Sequence, residues 1–317
     1  MKVLISRIIT FIFVLFITAC GAQELDTSGR VTVNVVGGGS AEVTGPGIDC
    51  PGQCETDLQF TQAEASSIIS TTRVLDLTIS TNPDQELISW VLTPHNSVNP
   101  TPADNCGESF NCRVLVESYC GLAPTVPIVP VCQKNYIDDV EVRPVVVEKD
   151  SVIDWSRHYG AVCVLYTSGL AQCWNHSSSP SHRGLENVTP IQFQNPTLIG
   201  NADSYACVAD ELGVHCFSDP VRDAITEPSV EFGLPQPEAL AISNSSACQL
   251  SNQVVQCWHQ KRTSNYPNLP EVPELSNPTN LRVGENSLQL CVDDDEETVC
   301  WYWNKDGLVE SRSAYQQ

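Results

Sequence analysis

The sequence predicts an all-β protein, a small β domain followed by a small or incomplete β-propeller of four disulfide-stapled repeats. Three observations carry that prediction. Cysteines fall into short-range couples, the couples of the second half recur in a fixed frame, and apolar residues around them alternate as strands do.

Residues 1–19 read as an export segment. Lys2 and Arg7 form a short basic start, and the run from Ile8 to Ala19 is broken only by Thr10 and Thr18. A charged start and a short apolar core are the layout of a secretory signal. A membrane-spanning helix needs about 20 apolar residues, more than this run supplies. It ends in Ile17-Thr18-Ala19-Cys20-Gly21, which resembles the bacterial lipobox. That resemblance implies cleavage before Cys20, acylation of its thiol and new amino terminus, and a lipid bilayer as partner. Two or more acyl chains are what firm anchoring requires. In the same family Gly21, in place of Asp, implies sorting to the outer membrane of a Gram-negative envelope. Residues 20–29 then form a lipidated polar tether.

The chain carries 16 basic and 38 acidic side chains, a net charge of −22. Losing Lys2 and Arg7 with the signal would deepen the deficit by two charges. Such a field repels nucleic acid and anionic lipid headgroups, so no nucleic-acid partner is expected. A solvated acidic coat that keeps the protein soluble is the simpler reading of this charge, and divalent cation binding is the sharper alternative.

Of 15 cysteines, Cys20 goes to the anchor and fourteen remain, an even number in an oxidising compartment. They form seven sequence-local couples: Cys50/Cys54, Cys106/Cys112, Cys120/Cys132, Cys163/Cys173, Cys207/Cys216, Cys248/Cys257 and Cys291/Cys300. Nearest-neighbour disulfides are the simplest pairing, although spacing alone does not determine connectivity. Zinc would need thiolates and histidines gathered at one point, and the six histidines do not cluster with the couples.

The last four couples share a frame over residues 148–317. Their first cysteines lie 44, 41 and 43 residues apart. The partner cysteine is followed in each case by an aromatic residue: Trp174, Phe217, Trp258 and Trp301. Eight positions before each first cysteine stands an apolar residue (Trp155, Ile199, Leu240, Val283), and a small one follows it (Ser156, Gly200, Ala241, Gly284). Each couple reads as a hairpin. In the first, Thr167-Ser168-Gly169 is the loop, with Gly169 where a three-residue connection wants a left-handed residue. The others are one residue shorter, which suits a two- or four-residue loop. Units of about 43 residues cannot bury a core alone and stack as propeller blades do.

Ala206-Cys207-Val208 to His215-Cys216-Phe217, and Ala247-Cys248-Gln249-Leu250 to Gln256-Cys257-Trp258, resemble the bacterial form of the regulator of chromosome condensation repeat. Its hallmark is a Cys-Ala-Leu strand, a polar glycine turn and a strand ending in Cys-Trp-Gly. The glycine after the aromatic is missing here, and there are four units where that family commonly has seven.

Residues 30–119 read as a separate β domain. Val31 to Val35 alternate with polar neighbours, and a glycine-rich stretch follows. The segment from Gly45 to Cys54, then Phe60, Leu75 to Ile79, Trp90, Cys106, Cys112 and Val114 to Val116 resemble the divergent internalin-type β repeat of bacterial surface proteins. Residues 120–147, with Pro124, Pro127 and Pro130 inside the Cys120/Cys132 couple, read as a stapled, Pro-rich linker.

For chemistry, Asp293-Asp294-Asp295-Glu296-Glu297 is the densest charge cluster. Asp293, Asp294 and Asp295 are the candidate metal ligands, since calcium takes several carboxylates at one point. The spaced pattern of a calcium loop is absent, and a solvated turn is the simpler reading. No nucleophile elbow, phosphate loop, zinc-protease helix or dinucleotide fingerprint occurs. No catalytic residue and no cofactor are therefore expected. The leading expectation is a membrane-anchored, non-enzymatic binding module for an envelope protein or glycan. The alternative is a secreted polysaccharide hydrolase, with carboxylates brought together from different blades.

Overall fold

A computed structural model describes residues 28–61, 71–94, 106, 109–122, 132–137, 139–158, 161–174, 191–202, 205–218, 229–232, 237–243, 246–259, 272–284, 289–304 and 307–314. The export segment and Cys20 lie outside these. Nearly every described residue is in a strand or a turn between strands, and the one helical element among them is a single turn at Lys149–Ser151.

Two sheets make the first domain. Strands β1 (Ser28–Val33), β4 (Glu55–Gln59), β6 (Gln85–Pro94) and β9 (Val140–Glu148) form one, in the order β4-β1-β9-β6. Strands β2 (Ala41–Gly45), β3 (Ile48–Cys50), β5 (Thr71–Thr81), β7 (Asn111–Leu122) and β8 (Cys132–Ile137) form the other, in the order β3-β2-β5-β7-β8. Alternation assigns the faces. Along β5, Leu75, Leu77 and Ile79 are buried while Val74, Asp76 and Thr78 are exposed, the period-2 pattern of a half-buried strand. These buried side chains meet Val31, Val33, Trp90, Val114 and Val142 in a core shared by the two sheets. Cys106 is bonded to Cys112 inside that core, and Cys50 to Cys54 at its edge. The Trp90 indole donates to the Ser109 carbonyl at 2.7 Å.

The described residues of 120–147 are strands of the first domain and not a Pro-rich linker. Strand β7 runs on to Leu122 and pairs with β8, and β9 lies between β1 and β6 inside the first sheet. The physical reason is burial on both faces. In β9, Val140, Val142 and Val146 enter the domain core, whereas Val145 and Val147 point the other way into a second apolar cluster. A strand covered on both sides reads as a continuous apolar run, and the prolines upstream obscure it. The side chains of Cys120 and Cys132 lie outside the described residues, so that couple is left without a structural account.

Four antiparallel meanders follow. Blade 1 comprises β10 (Val152–His158), β11 (Ala161–Tyr166), β12 (Leu170–Trp174) and β13 (Ile191–Gln192). Blade 2 comprises β14 (Leu198–Ala202), β15 (Tyr205–Asp210), β16 (Gly213–Ser218) and β17 (Ser229–Phe232). Blade 3 has β18 (Ala239–Ile242), β19 (Ser246–Ser251) and β20 (Val254–His259) among the described residues. Blade 4 has β21 (Pro278–Val283), β22 (Leu290–Asp294), β23 (Glu297–Asn304) and β24 (Gly307–Ala314).

In every blade two cysteines stand directly opposite each other on adjacent strands and are joined by a disulfide. Cys163 is bonded to Cys173, Cys207 to Cys216 and Cys248 to Cys257, each with Cα atoms 4.0 Å apart. Cys291 is bonded to Cys300 with Cα atoms 4.1 Å apart. Cys173 of blade 1 is buried beneath blade 2.

The hairpin turns follow from their residues. Gly169 has φ of 85°, and a Cβ there would lie 2.6 Å from the Phe193 carbonyl oxygen. The shorter hairpins close with two residues. Asn252 and Gln253 both take positive φ, 50° and 64°, the mirror-type turn that matches strand twist.

Register then decides which face each side chain serves. The residues flanking the first cysteine of a blade, and the aromatic that follows its partner, face the preceding sheet. Val162, Val164 and Trp174 pack on Ile88, Val91, Val145 and Val147 of the first domain. Ala206, Val208 and Phe217 pack on blade 1. Ala247 and Trp258 pack on blade 2, and Leu290, Val292, Val299 and Trp301 on blade 3. The cysteines of blades 1 to 3, with Leu165, Ala209 and Leu250, face forward to the next blade. The described residues thus form a row of six stacked sheets. Among the described residues no apolar cluster joins blade 4 back to blade 1, because the first domain occupies the blade 1 face that a closed ring would need. The four repeats form an open arc.

Candidate functional site

Among the described residues no sheet packs on the forward face of blade 4, and its side chains differ from those of blades 1 to 3. Where blades 1 to 3 place Leu165, Ala209 and Leu250, blade 4 places Asp293. Opposite the first cysteine stand Ser156, Gly200 and Ala241 in blades 1 to 3 but Arg282 in blade 4. Small residues there let the next sheet approach closely, and a Cβ on Gly200 would lie 2.7 Å from Cγ1 of Ile242. The Arg282 guanidinium instead lies 2.8 Å from Asp293 Oδ1. Asn280 Nδ2 donates to Oδ2 at 2.8 Å, and Thr298 Oγ1 to Oδ1 at 3.0 Å. Burial opposes ionisation of Asp293, but these hydrogen bonds and the Arg282 charge outweigh it and hold the carboxyl below its ordinary range.

The candidate metal ligands are therefore pulled apart. Asp293 belongs to the cluster with Arg282, Asn280 and Thr298. Asp294 accepts from the backbone N–H groups of Ser276 and Asn277, at 2.9 and 2.6 Å. Asp295 sits exposed in the turn at φ of 53°. Successive residues of a strand and its turn point in different directions, so three consecutive aspartates do not converge. No group of three ligating side chains gathers among the described residues.

A second region is built from the turns. Residues 167–169, 211–212, 252–253 and 295–296 lie at equivalent strand ends, so the four hairpins open at one mouth of the arc. The crossings between blades arrive at the same mouth, and each is tied to the hairpin of the blade it enters. Asn195 Nδ2 donates to Glu211 Oε2 at 3.1 Å, the Asn252 N–H donates to Glu238 Oε1 at 3.0 Å, and Asp294 holds residues 276 and 277. Asp210 Oδ1 accepts from the Leu212 N–H at 2.8 Å and lies 2.9 Å from His215 Nε2. That histidine is buried between blades 1 and 2, its ring 6.0 Å from Phe193. The mouth is a fixed surface pinned by side chains. His158 is buried at the far end of β10, and His176 and His182 lie outside the described residues.

Two groups mark the junctions between sheets. Asp154 accepts from the Ile199 N–H at 2.8 Å across the gap between blades 1 and 2. Burial raises its carboxyl above the ordinary value, against the opposing effect of backbone hydrogen bonds from Ile199 and Trp155. Tyr166 donates to the Gly37 carbonyl at 2.8 Å, joining blade 1 to the first domain, and burial pushes its hydroxyl up to about 12. Sequence spacing carries no signal for either. Arg282 has one detectable signal, a charged residue beside the small-residue position of the repeat frame. The frame points to Gly284, but the register pairs Cys291 with Arg282, because the turn from β21 to β22 is longer than its counterparts.

No family model matches the sequence, and no curated protein matches it. Solved structures with similar architecture include yeast RCC1 (Prp20), determined with Kap60 bound, at 11% identity and a TM-score of 0.37, covering 61% of this chain and 54% of that one. The ectodomain of the Physcomitrella patens receptor kinase CR4 aligns at 19% identity and a TM-score of 0.33, over 47% of this chain and 40% of that one. Citrobacter koseri AztD aligns at 12% identity and a TM-score of 0.37, over 75% and 66%. The chain thus spans about half or less of the first two structures.

Proposed function

We propose that this chain is an extracytoplasmic lipoprotein, anchored through Cys20 to the bilayer, whose arc of blades serves as a non-enzymatic binding module for an envelope protein or glycan. The observation that carries the reading is the mouth described above. Each blade contributes a hairpin turn, and the turns of blades 2 to 4 are clamped by the crossings that precede them. A rigid scaffold that displays turns side by side is the usual way that loops are made to bind. The row of disulfides supports an oxidising compartment, and the lipobox-like segment supports the anchor.

The anchor and the binding role are tested separately. Mass spectrometry of the mature protein should find an acylated Cys20, and Cys20→Ser should lose the acyl mass and leave the membrane fraction. An unmodified Cys20 thiol on the mature chain overturns the anchor. For binding, the chain from Gly21 onward is immobilised and exposed to envelope extracts, with the reduced protein as control. Retention of the same partner in several extracts, lost on reduction, is the expected result, and consistent blanks reject the binding role.

A further inference from the structure

Resting on that reading, we propose that the turn-bearing mouth of the arc docks a basic polypeptide segment carrying apolar side chains. Five large apolar side chains are strongly exposed among the described residues, and two of them, Val74 and Phe110, belong to the first domain. The other three are Ile153, Leu212 and Val254, at 40%, 60% and 54% exposure. They stand one on each of blades 1, 2 and 3, and all three lie at the same mouth.

Local backbone geometry aims each of them outward. Ile153 is the residue skipped where the pairing of β10 with β11 shifts between Val152 and Asp154, and bulges re-aim side chains in this way. Leu212 closes a two-residue turn, and its N–H is held by Asp210. Val254 directly follows the Asn252-Gln253 turn, which Glu238 clamps. Such positions ordinarily carry polar residues. Face-to-face sheets are about 10 Å apart, so the three blades that carry these side chains span about 20 Å of the mouth.

Charge selects the occupant. Asp150, Glu211, Glu238, Asp295 and Glu296 are exposed around these side chains. Among the described residues the cations nearby are already engaged: Lys149 donates to the Pro83 carbonyl, and Arg312 pairs with Glu297 and Glu310. An anionic partner would be repelled. The apolar points are aliphatic, so they offer no ring on which a sugar could stack. A polypeptide segment that alternates apolar and basic side chains complements both features.

The test uses the chain from Gly21 onward, which lacks only the export segment and the anchor cysteine. A fluorescent peptide of alternating lysine and leucine is titrated against it, beside a lysine and serine peptide of equal charge. The expected result is binding of the lysine–leucine peptide that weakens with salt, and much weaker binding of the serine peptide. Replacing all three side chains (Ile153→Ser, Leu212→Ser, Val254→Ser) should reduce affinity by about tenfold or more. Val74→Ser with Phe110→Ser, comparably exposed but on the first domain, should change nothing. Unchanged affinity in the triple variant, or an equal loss in the control, overturns the proposal. Capture of the same envelope partner by the triple variant and the unaltered chain also overturns it, while leaving the general binding role standing.

Discussion

Arg282 and Asp293 show how one ion pair can stand where the other repeats carry a small and an apolar side chain. Asp293 is almost fully buried, and its charge is met by Arg282, Asn280 and Thr298. Arg282→Ala should therefore destabilise the protein by about 1–3 kcal/mol, towards the lower end because the guanidinium is partly solvent-facing. Denaturant unfolding checks this. The pH dependence has a definite sign. A carboxyl held below its ordinary value stabilises the fold above that ordinary value, and the contribution disappears as pH falls through the lowered one. Arg282→Ala should flatten that acid limb. Asp154 works in the opposite sense. Its raised value means that its contribution is complete at low pH and is lost as pH rises through the folded-state value. Asp154→Asn keeps an acceptor for the Ile199 N–H and removes the charge. The variant should be more stable than the unaltered chain near neutrality, and the difference should shrink on acidification.

At the scale of elements, the disulfide-stapled hairpin is the unit that the sequence repeats. Closing a loop of about ten residues contributes roughly 2.5 kcal/mol in the chain-entropy model, which a unit of this size needs. The hairpins, the opposed cysteines and the left-handed Gly169 are all legible in the sequence, because each depends on residues only a few positions apart. The inner strands are less so. Their place in the frame depends on turns of unequal length, and this is why the frame points to Gly284 where Arg282 stands. Gly200 tests the stacking of elements directly. Gly200→Val would press on Ile242 across the gap between blades and should cost about 1–3 kcal/mol. A lowered unfolding midpoint with the Cys207–Cys216 bond intact would identify overpacking as the cause.

For the whole molecule, the first domain acts as the neighbour that blade 1 would otherwise lack. Ile88, Val91, Val145 and Val147 cover Val162, Val164 and Trp174, and Tyr166 reaches back to Gly37. Residues 149–317 expressed alone should expose that apolar face. Stronger binding of a hydrophobic dye and a lower unfolding midpoint than in the full chain are expected. Equal behaviour would show that the contact is incidental. The sequence by itself determined the all-β class, the hairpins and the cysteine couples, since local spacing and polarity encode them. Tertiary structure alone decided that residues 140–148 complete the first domain, that the arc is open, and that three consecutive aspartates serve separate ends. The reason is that these outcomes depend on which faces of distant strands meet, and a strand's sequence records that a face is buried without recording against what.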